Sequence, residues 1–242
     1  MPFTKSSAGR APRPPPTRYE AAMIETYADS GTLADAAAEA IAATLAEALR
    51  LRSGASLVAT GGRSPGPIYD RLSRMDLDWG RVSVTLSDDR CVDAGTPDSN
   101  VRLVRDRLLQ GPAAAAHFLP LWPPEDDTLE VIAGLRPFDA VMLGMGEDGH
   151  IGSLIPGDPG LVDALTTDEL TRHVPGGLGN PPIARVTLTL RALLDARAIF
   201  LLIAGEAKRE VIRRARAGED LPVGRLLDQA RAPVRIFWQP GV

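Results

Sequence analysis

The residues with the most capacity for chemistry lie in one run, Gly144-Met-Gly-Glu-Asp-Gly-His-Ile-Gly-Ser-Leu-Ile-Pro-Gly157. Gly144, Gly146 and Gly149 permit positive φ and let backbone come close to a ligand. Glu147, Asp148 and His150 stand between and after them. His150 is the first candidate for chemistry; the alternative is a polar turn whose histidine only caps a carbonyl. A second group is Gly61-Gly62-Arg63-Ser64-Pro65. A glycine pair and a hydroxyl between a strand and a helix start suit a phosphate, because free N–H groups and the helix dipole both favour an anion there. The loop lacks the Gly-Lys-Ser/Thr ending of a Walker motif and is not GxGxxG, so a tight turn with a hydroxyl cap is the alternative. Ser87-Asp88-Asp89-Arg90 is a third group, readable also as a surface ion pair. Lys208, three residues past Gly205, is placed either to meet an anion or to lie exposed on a helix.

Each group follows an apolar run of strand length: Ser56 to Thr60, Val82 to Leu86, Phe138 to Leu143 and Ile199 to Ala204. Open α/β sheets build their sites at the carboxyl ends of such strands. Further strands are expected at Met23 to Tyr27, His117 to Leu121, Arg185 to Leu190 and Val234 to Trp238. Thr32, with Asp35 as capping-box partner, opens a helix whose Leu33, Ala37, Ile41, Leu45 and Leu49 form one apolar stripe. Helices are also expected from Pro67 to Leu72, after Ser99 (Val101, Leu103, Val104 and Leu108), from Glu125 to Leu135 and from Gly205 to Ala217. This alternation predicts an α/β fold, a mostly parallel, Rossmann-like doubly wound sheet with helices on both faces. Residues 157 to 184 show little periodicity and read as a long connection, a candidate lid, with a short helix at Leu161 to Leu165. Arg102, Arg105 and His173 read as surface residues.

Composition narrows the function. A net charge of −4 with scattered basic residues gives no support for nucleic-acid binding. One cysteine, Cys91, forms no internal disulfide and suits a reducing cytoplasm. No apolar run reaches the roughly 18 residues of a membrane span, and no signal-peptide core is seen. The expected location is cytoplasmic. Three separated histidines without HExxH or paired CxxC give no zinc signature, and neither a metal nor a cofactor is expected. Residues 1 to 18, with five prolines, read as a disordered leader, leaving 19 to 242 as a single α/β domain.

Taken together, these motifs resemble the 6-phosphogluconolactonases of the small bacterial type, relatives of glucosamine-6-phosphate deaminase, over roughly residues 20 to 240. The 144–157 run is similar to that family's GMGxDGHxASLFPG. Ser87 to Arg90 with Pro97-Asp-Ser-Asn100 and Arg102 resembles DERxV…PDSNxR, and Arg185-Val-Thr-Leu-Thr189 and Gly205 with Lys208 match RVTLT and GxxK. Arg63 departs from a small hydroxyl residue of the family's loop, Asp89 from Glu, Thr96 from a frequent His, and Gly152 and Ile155 from Ala and Phe. The resemblance implies hydrolysis of 6-phospho-D-glucono-1,5-lactone to 6-phosphogluconate, the second step of the oxidative pentose phosphate route. In that chemistry His150 is the general base; free histidine suits proton transfer in both directions, with a pKa of about 6.5. Asp88 orients the water, His150 or a sugar hydroxyl, and N–H groups of the 144–149 turn, Gly146 among them, receive the oxyanion. The phosphate lies on Gly61, Gly62, Arg63 and Ser64 with Arg90 and Lys208, Arg63 either contacting it or pointing to solvent. The expected partner is this sugar phosphate alone, with the chain a monomer or weak homo-oligomer. Two alternatives stand: a deaminase/isomerase, whose usual GHIAFNEP continuation is here replaced by Ser153-Leu-Ile, and a non-catalytic phosphosugar binder, which as a regulator would need a DNA-reading module. No GxSxG elbow supports serine-hydrolase chemistry.

Overall fold

The structure, a computed structural model, describes residues 24–229 and 231–241. The expected leader lies outside them. Ten strands are described: β1 (Ile24–Thr26), β2 (Ala55–Ala59), β3 (Val82–Leu86), β4 (Asp88–Arg90), β5 (His117–Phe118), β6 (Ala140–Gly144), β7 (Thr171–Val174), β8 (Arg185–Leu188), β9 (Ile199–Ala204) and β10 (Val234–Gln239). Eight α-helices join them: α1 (Ser30–Leu51), α2 (Gly66–Leu72), α3 (Asn100–Arg107), α4 (Thr128–Gly134), α5 (Leu161–Thr166), α6 (Leu190–Leu194), α7 (Glu206–Arg216) and α8 (Pro222–Leu227).

Seven strands form one sheet in the order β1-β10-β9-β6-β2-β3-β5, and every pairing in it is parallel. All five residues of β2 are buried, as are the first four of β6 and the first five of β9. Successive side chains of a strand face opposite ways, so uninterrupted burial requires cover on both faces. The expected doubly wound α/β fold is what is found. From β2 the chain steps outward through β3 to β5, then returns to β6 on the other side of β2 and continues to β9 and β10. Between β2 and β6 the winding reverses, and such a switch point opens a crevice at the carboxyl ends of the strands.

Three local expectations change. Thr32 does not cap α1: Asp29 is the N-cap and Thr32 is the third helical residue, their side chains answering each other's backbone in a capping box. Asp35 instead pairs with Arg71 of α2. The polar segment after β3 is not a loop but strand β4, and residues 157 to 184 contain strand β7; with β8 they form a second, antiparallel sheet in the order β4-β8-β7. Sequence pattern hid these strands because they are short and polar or half-buried, with no apolar alternation to mark them. Helix α8 was also unmarked.

Candidate functional site

The crevice at the switch point is a cavity of about 870 Å³. Every residue proposed from sequence lines it: Gly61, Gly62, Arg63, Ser64, Asp88, Arg90, Gly146, His150 and Lys208. They arrive from the loop after β2, from β4, from the turn after β6 and from α7, which follows β9.

After β2 the chain is pinned by Tyr69, whose hydroxyl donates to the Thr60 carbonyl at 2.6 Å and accepts from the Thr60 N–H at 2.8 Å. Burial raises the Tyr69 pKa and keeps that hydroxyl protonated. The loop then passes over Asn100, close enough that a Cβ at Gly61 would sit 2.0 Å from Asn100 Oδ1. Any side chain there would displace the asparagine, which donates to the Asp88 carbonyl and accepts from Arg90 Nη1. Ser64 does not cap α2, and among the described residues no acceptor within the protein takes the N–H groups of Gly61 to Ser64. Lying at an exposed loop, they are open to water or to a ligand.

The β6 turn builds the histidine. His150 Nδ1 lies 2.6 Å from Asp148 Oδ1, which also accepts the His150 backbone N–H at 3.2 Å. An ionised carboxylate can only accept, so Nδ1 carries the proton and Nε2 is left basic. Burial alone would raise the Asp148 carboxyl, but the hydrogen bonds and charge of His150 outweigh it and hold the group below its ordinary value. Gly146 makes room for this pair: a Cβ there would fall 2.3 Å from His150 Nδ1 and 2.4 Å from Asp148 Oδ1. Its N–H is not free for an oxyanion, since it donates to the His150 carbonyl at 2.9 Å, and the Gly149 N–H donates to Gly146. Of the turn's donors, that of Glu147 meets no backbone acceptor among the described residues, while that of Asp148 faces its own carboxylate.

Asp88 is not the partner of His150. Its two oxygens accept from Ser153 Oγ at 2.6 Å and Ser87 Oγ at 2.8 Å, which fixes a buried carboxylate at the cavity wall. Its neighbour Asp89 points away and accepts from the N–H groups of Arg90 (2.8 Å), Asn100 (2.7 Å) and Val101 (3.4 Å), tying β4 to the start of α3.

The cations form two pairs. Burial lowers the Lys208 pKa, Glu147 opposes that, and the charge of nearby Arg63 adds to it. Arg90 faces Arg185 in the β4–β8 register. Like charges directly opposite in a sheet are unfavourable, and Arg185 is only 4% exposed. Its pKa is lowered by burial and by Arg90, against the opposing charge of Asp88. Arg185 Nη2 donates to the Pro181 carbonyl at 2.8 Å, yet the Nε atoms of both Arg90 and Arg185 are buried without a partner. A buried and a half-buried guanidinium, each with a spare Nε donor and with Asp88 as their nearby carboxylate, suit a bound anion.

Sequence reading missed Asn100, Asp148 and Arg185 as site residues. Asp148 stands two before His150 in the glycine turn, and Arg185 is a cation opening an apolar strand; either signal could have found them.

Such a fold and cavity define a doubly wound α/β protein whose switch-point crevice sets cations beside a carboxylate-held histidine. The profile described as "Glucosamine-6-phosphate isomerases/6-phosphogluconolactonase" matches residues 28–238, and the chain belongs to that family. It is 39% identical over 224 residues to a 6-phosphogluconolactonase of Caulobacter vibrioides, covering 89% of this chain and 96% of that protein. It is 38% identical over 234 residues to one of Rhizobium meliloti, covering 90% and 99%. The crystal structure of a 6-phosphogluconolactonase from Shewanella baltica superposes with a TM-score of 0.85 at 36% identity, covering 91% of this chain and 98% of that one.

Proposed function

We propose that this protein hydrolyses 6-phospho-D-glucono-1,5-lactone to 6-phospho-D-gluconate in the oxidative pentose phosphate route, as a cytoplasmic monomer or weak homo-oligomer. Likeness over nearly the full length to proteins named 6-phosphogluconolactonase supports the substrate. No helix among the described residues is long and apolar enough to cross a membrane. The observation that carries the reaction type is the Asp148–His150 pair, which leaves a basic nitrogen in a cavity rich in cations.

A δ-lactone is an activated ester, so a positioned base and a place for the developing oxyanion are sufficient. His150 Nε2 takes a proton from water as the water oxygen bonds to C1, and the carbonyl π pair moves onto its oxygen. The N–H group of Glu147 receives that oxyanion. When the tetrahedral intermediate collapses, the bond from C1 to the ring oxygen breaks and the imidazolium returns its proton to that oxygen, which leaves as the C5 hydroxyl. The carboxylic acid formed at C1 then ionises. Asp148 holds the imidazole in its tautomer and stabilises the imidazolium. Asp88, held by Ser87 and Ser153, orients the water or a sugar hydroxyl. The phosphate sits on the 61–64 loop with Lys208 and Arg63, and with Arg90, which Asn100 holds beside Gly61. Binding energy from this remote group holds C1 in reach of the water.

The test is hydrolysis of freshly generated lactone with its spontaneous rate subtracted. Turnover that requires His150 and the substrate phosphate, and survives a chelator, is expected. A rate no faster than background, with ammonia released from glucosamine 6-phosphate, would replace this reading with the deaminase.

A further inference from the structure

The four strands that carry the catalytic cavity at their carboxyl ends carry a second cavity at their amino ends. It has a volume of about 290 Å³ and is lined by Arg52, Arg81, Arg136 and Arg197, the Ser53 and Ser83 hydroxyls, and one carboxylate, Asp139. We propose that this cavity is a second, non-catalytic site for a small phosphate-bearing anion.

Its charge is the first argument. Asp139, 4% exposed, is shared by Arg52 and Arg197 and is also bound by the Ser56 N–H at 2.9 Å. One negative charge therefore answers two guanidiniums and has no capacity left. Arg81 spends its donors on the carbonyls of Leu49, Arg52 and Ser53 at the end of α1, and reaches Asp78 only at 3.4 Å. Arg136 makes a single bond, Nε to the Ala133 carbonyl at 3.3 Å, and among the described residues its terminal nitrogens meet no acceptor. Four cations lie around one carboxylate in a chain whose net charge is −4.

Its construction is the second. The floor is the rigid start of β2, β3, β6 and β9, and Asp139 fixes Arg52 and Arg197 before any ligand arrives. Pre-set guanidinium forks and hydroxyls match the oxygens of a phosphate. The volume lies near the lower limit of small-molecule pockets, roughly 300 Å³, which suits a phosphate or diphosphate group rather than a large ligand. Five-residue strands separate the two cavities by roughly 17 Å. They share no lining residue, so occupancy here is separable from turnover.

Calorimetric titration of the whole protein with pyrophosphate tests this, because the probe is read by binding and not by activity. Two equivalents are expected for the wild type. Lys208→Ala with Arg63→Ala should weaken only one. Arg136→Ala with Arg197→Gln should weaken the other at least tenfold while leaving lactone kcat and KM unchanged; Arg136→Ala alone, which leaves both partners of Asp139 in place, should produce most of that loss. A single wild-type equivalent removed by Lys208→Ala with Arg63→Ala overturns the proposal, as does a second equivalent indifferent to Arg136 and Arg197, or no binding. Failure of the lactone assay would leave this titration unaffected.

Discussion

At the scale of single residues, the division of labour in the cavity predicts separable kinetic effects. His150→Ala removes the base and should lower kcat by about 10²- to 10⁴-fold, the usual contribution of general acid–base catalysis. Asp148→Asn keeps the shape but offers its amide and a weaker acceptor to Nδ1. It should lower kcat by roughly ten- to a hundredfold with little change in KM, since the carboxylate's benefit is greatest when the imidazolium forms. Equal losses in kcat and 1/KM would show that Asp148 binds substrate instead. Lys208 gives a pH signature. Its folded pKa is lowered from 10.5, first by burial and further by Arg63. The ammonium that holds phosphate is therefore lost as pH rises through a value below 10.5, and KM should climb in the alkaline range earlier than a free lysine would dictate. Lys208→Arg should hold KM flat to higher pH. Stability moves the other way: the fold favours neutral Lys208, so that group's penalty is relieved as pH rises through the same window. Comparing wild type with Lys208→Ala in alkaline melting curves isolates it.

At the scale of elements, the short β4–β8–β7 sheet does what a flexible loop could not. It sets Asp88, Arg90 and Arg185 in register on a hydrogen-bonded ladder, and Asp89 fastens that ladder to α3. Asp89 is 1% exposed, and burial raises its pKa against the N–H groups of Asn100, Arg90 and Val101, which lower it, while the charge of Asp88 also raises it. Asp89→Ala would strand those buried donors and should cost about 1–3 kcal/mol in denaturant unfolding. Arg90 and Asn100 follow Asp89 directly in this network, so KM should rise too. Wild-type KM in a destabilised Asp89→Ala would mean that β4 keeps its place without the tie.

At the scale of the whole molecule, the parallel sheet is the rigid body against which both ends are built. Phe200 of β9 is 1% exposed and packs 6.2 Å from Phe237 of β10. Phe200→Ala should cost about 3–5 kcal/mol, seen as a lowered unfolding midpoint, with kcat per folded molecule little changed because no cavity residue is touched. A large fall in kcat at full folding would instead mean that the sheet's packing controls the turns at its end.

Much of this was legible without coordinates. The strands β6 and β9 are continuous apolar runs, β2, β3 and β10 are mostly apolar or alternating, and α1 carries a helical stripe; burial on both faces or on one leaves that periodic trace in composition. The nine proposed site residues were candidates because glycine turns and charges directly follow those runs, where parallel sheets place ligands, and the family resemblance supplied their roles. Tertiary structure alone decided which groups meet. Asp148, and not Asp88, holds His150, because the 146–150 turn folds the side chains two residues apart together while Ser87 and Ser153 hold Asp88 elsewhere. Gly146 gives space and not a donor, because its N–H closes the turn. Arg185 reaches Arg90 across 95 residues only through strand pairing, and the arginines at the far end of the sheet converge from four separate segments. Local periodicity records which side of an element is buried; it carries no record of which distant element lies opposite, since that is fixed by long-range packing and register.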